Sequence, residues 1–149
     1  TDVTMMARHL AYLRKKYWKT RYAVNFPRMR PSESGFQPNV VMSDRELAQL
    51  TFAFRLFDHD VDISYSTRED HRLRNNMATL GVTSMSAGSK TDPGGYAVYP
   101  SSLEQFAVSD RTSPGEVAAD LRALGREPVW KDWDAVFDEN STREAEYCS

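Results

Sequence analysis

Cysteine is all but missing from this chain: among 149 residues only Cys148 carries a thiol. A single thiol allows neither an intramolecular disulfide nor a cysteine-built metal site, and the expectation is a reducing, cytoplasmic setting. No run of eighteen or more apolar residues occurs, which excludes a spanning helix, and the first residues lack the charged-then-apolar pattern of a signal peptide. Histidine is scarce as well. His9, His59 and His71 show no metal-ligand spacing and no catalytic neighbourhood, so they read as surface residues. There is no internal repeat and no low-complexity segment. Only the tail "DENSTREAEYCS" has the composition of a disordered stretch.

What is present is ordinary for a soluble globular chain, with 40% hydrophobic and 27% charged residues, enough for one domain with one core. The net charge of −2 hides an asymmetry: residues 1–30 hold eight Lys/Arg and one acid, and the rest hold eleven basic and twenty acidic side chains. The mixture of bases and aromatics in "LRKKYWKTRY" (13–22) resembles a nucleic-acid groove. The commoner cause is a helix end where Tyr and Trp pack beside snorkelling Lys and Arg, and no nucleic-acid partner is expected.

Periodicity gives the element order. Met6, Leu10, Leu13 and Tyr17 form one apolar helix face within residues 3–17, and Tyr22, Val24 and Phe26 alternate as a strand. Ser43 and Glu46 form a capping box ahead of Leu47, Leu50, Phe54 and Phe57 at helical spacing. A strand follows over 61–66, then a helix from Arg68 that stops at Gly81. "VTSMSAGS" is a strand entering a glycine-rich loop with Gly88, Gly94 and Gly95. Pro114 opens another helix at its first position, and "PVWKDW" reads as a short final strand. Helices alternating with four strands predict an α/β fold with parallel β/α units. The length falls short of the ~250 residues of a closed eight-stranded barrel.

Two motif matches fail. Asp58, Asp60, Asp62 and Glu69 stand at calcium-loop positions one, three, five and twelve, but position six requires glycine and holds Ile63. "GSKT" (88–91) lacks the spacing of a nucleotide-triphosphate loop; what survives is a glycine-rich loop whose amides suit an anion. Arg28, Arg30, Arg68 and Ser86 are different. With parallel strands each lies at or just past a strand's C-terminal end, the face where β/α folds bind ligands. A guanidinium offers a bidentate match for a carboxylate and a serine hydroxyl adds one bond. A salt bridge from Arg68 to Glu69 or Asp70 is the competing structural reading.

The blocks "HLAYLRKKYWKTRYAVNFPRMRP", "SDRELAQLTFAFRLFDHDVDISYSTRE", "LGVTSMSAGSKTDPGGY", "LEQF" and "PVWKDWD" closely resemble the C-terminal half of the 2-iminoacetate synthase family. These are radical S-adenosylmethionine tyrosine lyases of thiamine biosynthesis. The likeness runs from about Met5 to Asp134 and implies the C-terminal part of a TIM-type β/α barrel over 1–134, with its biotin/thiamine-synthesis-associated region, then a polar tail over 135–149. It implies a 4Fe-4S cluster that cleaves S-adenosylmethionine to a radical, which abstracts hydrogen from tyrosine. The Cα–Cβ bond then breaks to 2-iminoacetate and p-cresol, and the imine passes to thiazole synthase, a partner.

The family's C-x3-C-x2-C motif is absent, so neither cofactor is expected to bind this chain alone, and the missing N-terminal half is an expected partner. The resemblance implies that Arg68 of "STRE" and Ser86 of "SMSAG", or Ser84 close by, hold the tyrosine carboxylate and amine. Arg28 and Arg30 are expected to line the same cavity. A stand-alone half barrel that binds a partner protein is the alternative.

Overall fold

The computed structural model describes residues 2–29, 38–91 and 108–130. Among the described residues seven elements follow one another: α1 (Asp2–Lys16), β1 (Ala23–Asn25), α2 (Asp44–Phe57), β2 (Asp62–Tyr65), α3 (His71–Ala78), β3 (Ser84–Met85) and α4 (Pro114–Ala123). Helices and strands alternate in the expected order, and among the described residues no helix is long and apolar enough to cross a membrane. The fourth expected strand, over 128–133, is not formed in its described part, Pro128–Trp130; 131–133 and the tail 135–149 lie outside the described residues.

The capping box expected at Ser43 forms, and a second one stands ahead of Pro114. Ser43 Oγ accepts from the Glu46 amide while Glu46 returns a bond to the Ser43 amide, and Ser113 with Glu116 repeats the arrangement ahead of Pro114. The helix expected from Arg68 starts later. Asp70 is its N-cap, accepting from the Leu73 amide at 3.0 Å, because residues 66–69 are folded into a turn closed by Glu69 N–H donating to the Ser66 carbonyl. The same helix ends at Ala78, and Gly81 follows at φ +151°, a region open only to glycine.

The sheet is parallel in the order β1-β2-β3, with Asn25 beside Ser64 and Ser64 beside Ser84. Side chains alternate across its two faces. Val61, Ile63 and Tyr65 point to the helices and join Leu10, Phe26, Leu47, Phe54, Leu73 and Met77 in one core. Phe26 meets Phe54 edge-to-face at 4.8 Å between ring centres. Periodicity misplaced two aromatic positions: Tyr17 and Phe57 are half exposed, and Thr51 takes the buried place, with its hydroxyl 2.8 Å from the Tyr65 hydroxyl. Burial raises the Tyr65 phenol above its ordinary value, so the pair stays neutral.

At the N-terminal edge of the sheet one guanidinium closes the structure. Arg55 donates to the carbonyls of His59 (2.7 Å), Val61 (2.8 Å) and Gly81 (2.8 Å), satisfying three backbone acceptors where helices turn into strands. The basic stretch 13–22 is spent on internal contacts: Arg14 pairs with Asp58 and lies over Tyr22, and Lys16 and Lys19 sit over Tyr12, Tyr17 and Trp18.

Candidate functional site at the strand ends

Parallel pairing carries the ends of all three strands to one edge of the sheet. β1 ends at Asn25 with Arg28 three residues on, β2 at Tyr65 with Arg68 three residues on, and β3 at Met85 with Ser86 next. The register leaves Asn25, Ser64 and Ser84 side by side on the sheet face opposite Ile63 and Tyr65. The side chains of that row are small and polar.

Ser86 is held at every polar atom. Its amide donates to the Tyr65 carbonyl at 3.1 Å, its carbonyl accepts from Arg74 Nη2, and its Oγ accepts from the Thr67 amide at 3.3 Å. A hydroxyl has one donor and two acceptor sites, so the O–H and one lone pair remain for a ligand. Thr67 and Glu69 are buried while Ser66 and Arg68 are half-buried, continuing the alternation of β2 into the turn. The Arg68 amide donates to Ser66 Oγ at 3.4 Å. Ser86 is thus bonded to the residue that immediately precedes Arg68, and these two residues lie just past neighbouring strand ends.

All three guanidinium nitrogens of Arg28 are engaged. Nε and Nη2 donate to Glu69 Oε2 (2.8 Å from Nε), and Nη1 reaches the Met42 carbonyl at 3.1 Å and Asp44 at 2.7 Å. The Glu69 hydrogen bond raises the Arg28 pKa further, against the opposing effect of burial. Arg28 therefore ties β1 to the start of α2 and to the β2–α3 turn. Arg30 lies outside the described residues.

Three features at this end were not legible in the sequence. Arg74 of α3 is 1% exposed and pairs with Asp110, 36 positions away. The Thr67 carbonyl accepts from the amides of Ser109 and Asp110, each at 3.0 Å. His71, read as an isolated surface residue, is exposed but has Thr112 Oγ1 at 3.3 Å, Asp120 at 3.1 Å and Asp110 at 3.7 Å around its ring, joining α3 to α4. The sole signal for Arg74 was a charged residue between Leu73 and Met77 on the apolar side of a short helix.

The calcium arrangement does not form. Asp58 pairs with Arg14 and accepts the amides of Asp60 and Val61, Asp62 pairs with Arg21 at 3.1 Å, and Ile63 is a buried strand residue. Among the described residues no group of three or more His, Cys, Asp or Glu is placed to hold a metal ion. The Gly88 amide, expected to face an anion, donates to the Thr112 carbonyl at 3.2 Å instead; Gly94 and Gly95 lie outside the described residues.

Comparison with known proteins places these residues in a wider context. Residues 25–127 match the family model described as Biotin and Thiamin Synthesis associated domain. The chain is 45% identical over 142 residues to 2-iminoacetate synthase of Escherichia coli (strain K12), covering 95% of this chain and 38% of that protein. It is 46% identical over 134 residues to 2-iminoacetate synthase of Salmonella typhimurium (strain LT2), covering 90% and 36%. The chain thus spans little more than a third of the length of these relatives. Among solved structures, the FeFe-hydrogenase maturase HydG from Carboxydothermus hydrogenoformans superposes with a TM-score of 0.71 at 30% identity, over 83% of this chain and 28% of that one. A second HydG structure gives a TM-score of 0.73 at 28% identity, over 83% and 27%.

Proposed function

We infer that this chain, which belongs to the Biotin and Thiamin Synthesis associated domain family, is the C-terminal, substrate-holding part of a 2-iminoacetate synthase. Its α/β fold, parallel strands alternating with helices, is that of a segment of a radical S-adenosylmethionine barrel. The proposed overall reaction cleaves the Cα–Cβ bond of tyrosine to 2-iminoacetate and p-cresol, in a reducing cytoplasmic setting. A thiazole synthase is the consumer of the imine.

The observation that carries the reading is the strand-end geometry. Arg68 and Ser86 lie just past the ends of adjacent strands, with Ser86 Oγ bonded at 3.3 Å to the amide preceding Arg68. The Arg68 guanidinium takes the tyrosine carboxylate, and the Ser86 hydroxyl adds a bond to the carboxylate or the amine. The ring then lies over the row Asn25, Ser64 and Ser84, where side chains are small. Arg28 contributes as a brace on Glu69. Holding the head group decides which hydrogen of tyrosine faces the reacting partner, an effect worth several kcal/mol in well-oriented systems (about 7–11 at most).

The chain's residues do not fit an iron–sulfur cluster. A 4Fe-4S cluster takes several thiolates, and Cys148 is one. The cluster and S-adenosylmethionine belong to a part of the polypeptide outside residues 1–149, and residues 1–149 alone are expected to be inactive.

The test is Arg68→Ala in the full-length polypeptide. A raised tyrosine KM, or S-adenosylmethionine cleavage that no longer yields p-cresol, is expected. Unchanged tyrosine kinetics would remove Arg68 from the site.

A further inference from the structure

Arg74 is a full positive charge sunk to 1% exposure beside Leu73 and Met77, and no ligand can reach it. Its bonds form a closed ring. Arg74 Nη1 donates to Asp110 Oδ2, the Asp110 amide donates to the Thr67 carbonyl at 3.0 Å, the Thr67 amide donates to Ser86 Oγ at 3.3 Å, and the Ser86 carbonyl accepts from Arg74 Nη2. Every bond of the ring begins or ends on Ser86, on Thr67, or on the pair itself. From it we propose that Arg74 and Asp110 are positioning residues of the amino-acid head-group site, setting Ser86 directly and Arg68 through Thr67. This rests on the reading of Arg68 and Ser86 given above.

Stability alone gives no reason for a buried ion pair. Desolvating two charges costs about what their attraction returns, and well-packed apolar replacements are often neutral or better. Geometry does give a reason. A guanidinium is a rigid planar fork, so with Asp110 on one nitrogen and the Ser86 carbonyl on another, the end of β3 is fixed relative to α3. Asp110 is pinned in turn by the Thr112 amide at 2.9 Å, while the Thr112 carbonyl takes the Gly88 amide at 3.2 Å. The segment 108–112 thereby buttresses both strand ends. The carboxylate also neutralises Arg74, so the ring adds no net charge beside the one that binds substrate.

The experiment uses the full-length polypeptide and measures equilibrium affinity for L-tyrosine and for tyramine, which keeps the ring and amine but lacks the carboxylate. Two variants are compared with the parent: Arg74→Met with Asp110→Leu, which removes both buried charges, and Asp110→Asn, which keeps the shape and breaks the charge pairing. A charge-assisted hydrogen bond to the carboxylate is worth about a tenfold change in affinity, so loosening the head-group site is expected to weaken tyrosine roughly tenfold while tyramine affinity stays at the parent value. A lost preference for tyrosine over tyramine in either folded variant supports the positioning role. A preserved preference, or equal loss of both ligands in step with thermal stability, overturns it. Arg68→Ala, run alongside, separates the two ideas: if it keeps the preference, the head-group site itself is wrong and the positioning role falls with it.

Discussion

Asp110 combines deep burial with a carboxyl held below its ordinary value. Burial pushes the carboxyl up, but the Thr112 hydroxyl and amide and the Arg74 charge outweigh it. With the folded-state pKa lowered, the unfolded chain takes up the proton first as pH drops. The stabilisation is therefore complete above the unfolded value of about 3.9 and is lost as pH falls through the lower folded value. Glu46 and Glu116, lowered by their bonds to Ser43 and Ser113, add to the same acid limb. Asp110→Asn should flatten the loss of stability below about pH 4 relative to the parent, read from urea midpoints at stepped pH. An unchanged slope would mean that Asp110 does not titrate with folding.

At the scale of single residues, the sequence pointed to Arg28, Arg68 and Ser86 but not to the partners that hold them. Glu69 was weighed as a partner for Arg68; its Oε2 accepts from Arg28, 41 positions earlier. No pattern within a few residues reports such a pairing, because it exists only once β1 and β2 lie side by side.

Among the elements, α3 depends most on its surroundings. It has eight residues, too few for a helix to persist by itself, and its apolar contacts are Leu73 and Met77. Asp70 supplies the one local signal, a side chain that accepts the Leu73 amide. Asp70→Ala is expected to cost about 1 kcal/mol and Asp70→Ser far less. The check is a lower denaturant midpoint at unchanged slope; a shift of the same size for Ser would point to some role other than capping. The start of this helix was misread by three residues because the chain from Arg68 suits a helix locally. What overrides it is the Thr67 carbonyl, which accepts the amides of Ser109 and Asp110 rather than one in the next helical turn. By contrast α2 and α4 begin where their capping boxes say, since all the bonding partners lie within four residues.

For the molecule as a whole, the sheet is open on both sides among the described residues: β1 and β3 each pair with β2 alone. Trp18, Val40, Val41 and Leu56 are at least three-quarters exposed. Unpaired strand edges and exposed apolar side chains favour pairing with further chain. If the proposed function is right, residues 1–149 made separately should associate with the separately made N-terminal portion of a 2-iminoacetate synthase, and iron and p-cresol formation should return after anaerobic reconstitution. Association without iron uptake or turnover would favour the alternative, a half barrel that serves as a binding module. Failure to associate would count against both.

The sequence by itself determined the order of the first six elements, the starts of α2 and α4, the parallel β/α pattern and the family likeness, because each is written in residues close together along the chain. Tertiary structure decided which charges meet. Arg28 with Glu69, Arg74 with Asp110 and Arg55 with three carbonyls all join segments brought together by strand pairing and helix packing. A buried guanidinium must find acceptors or forfeit its desolvation cost, and where those acceptors lie is settled by the path of the chain in space.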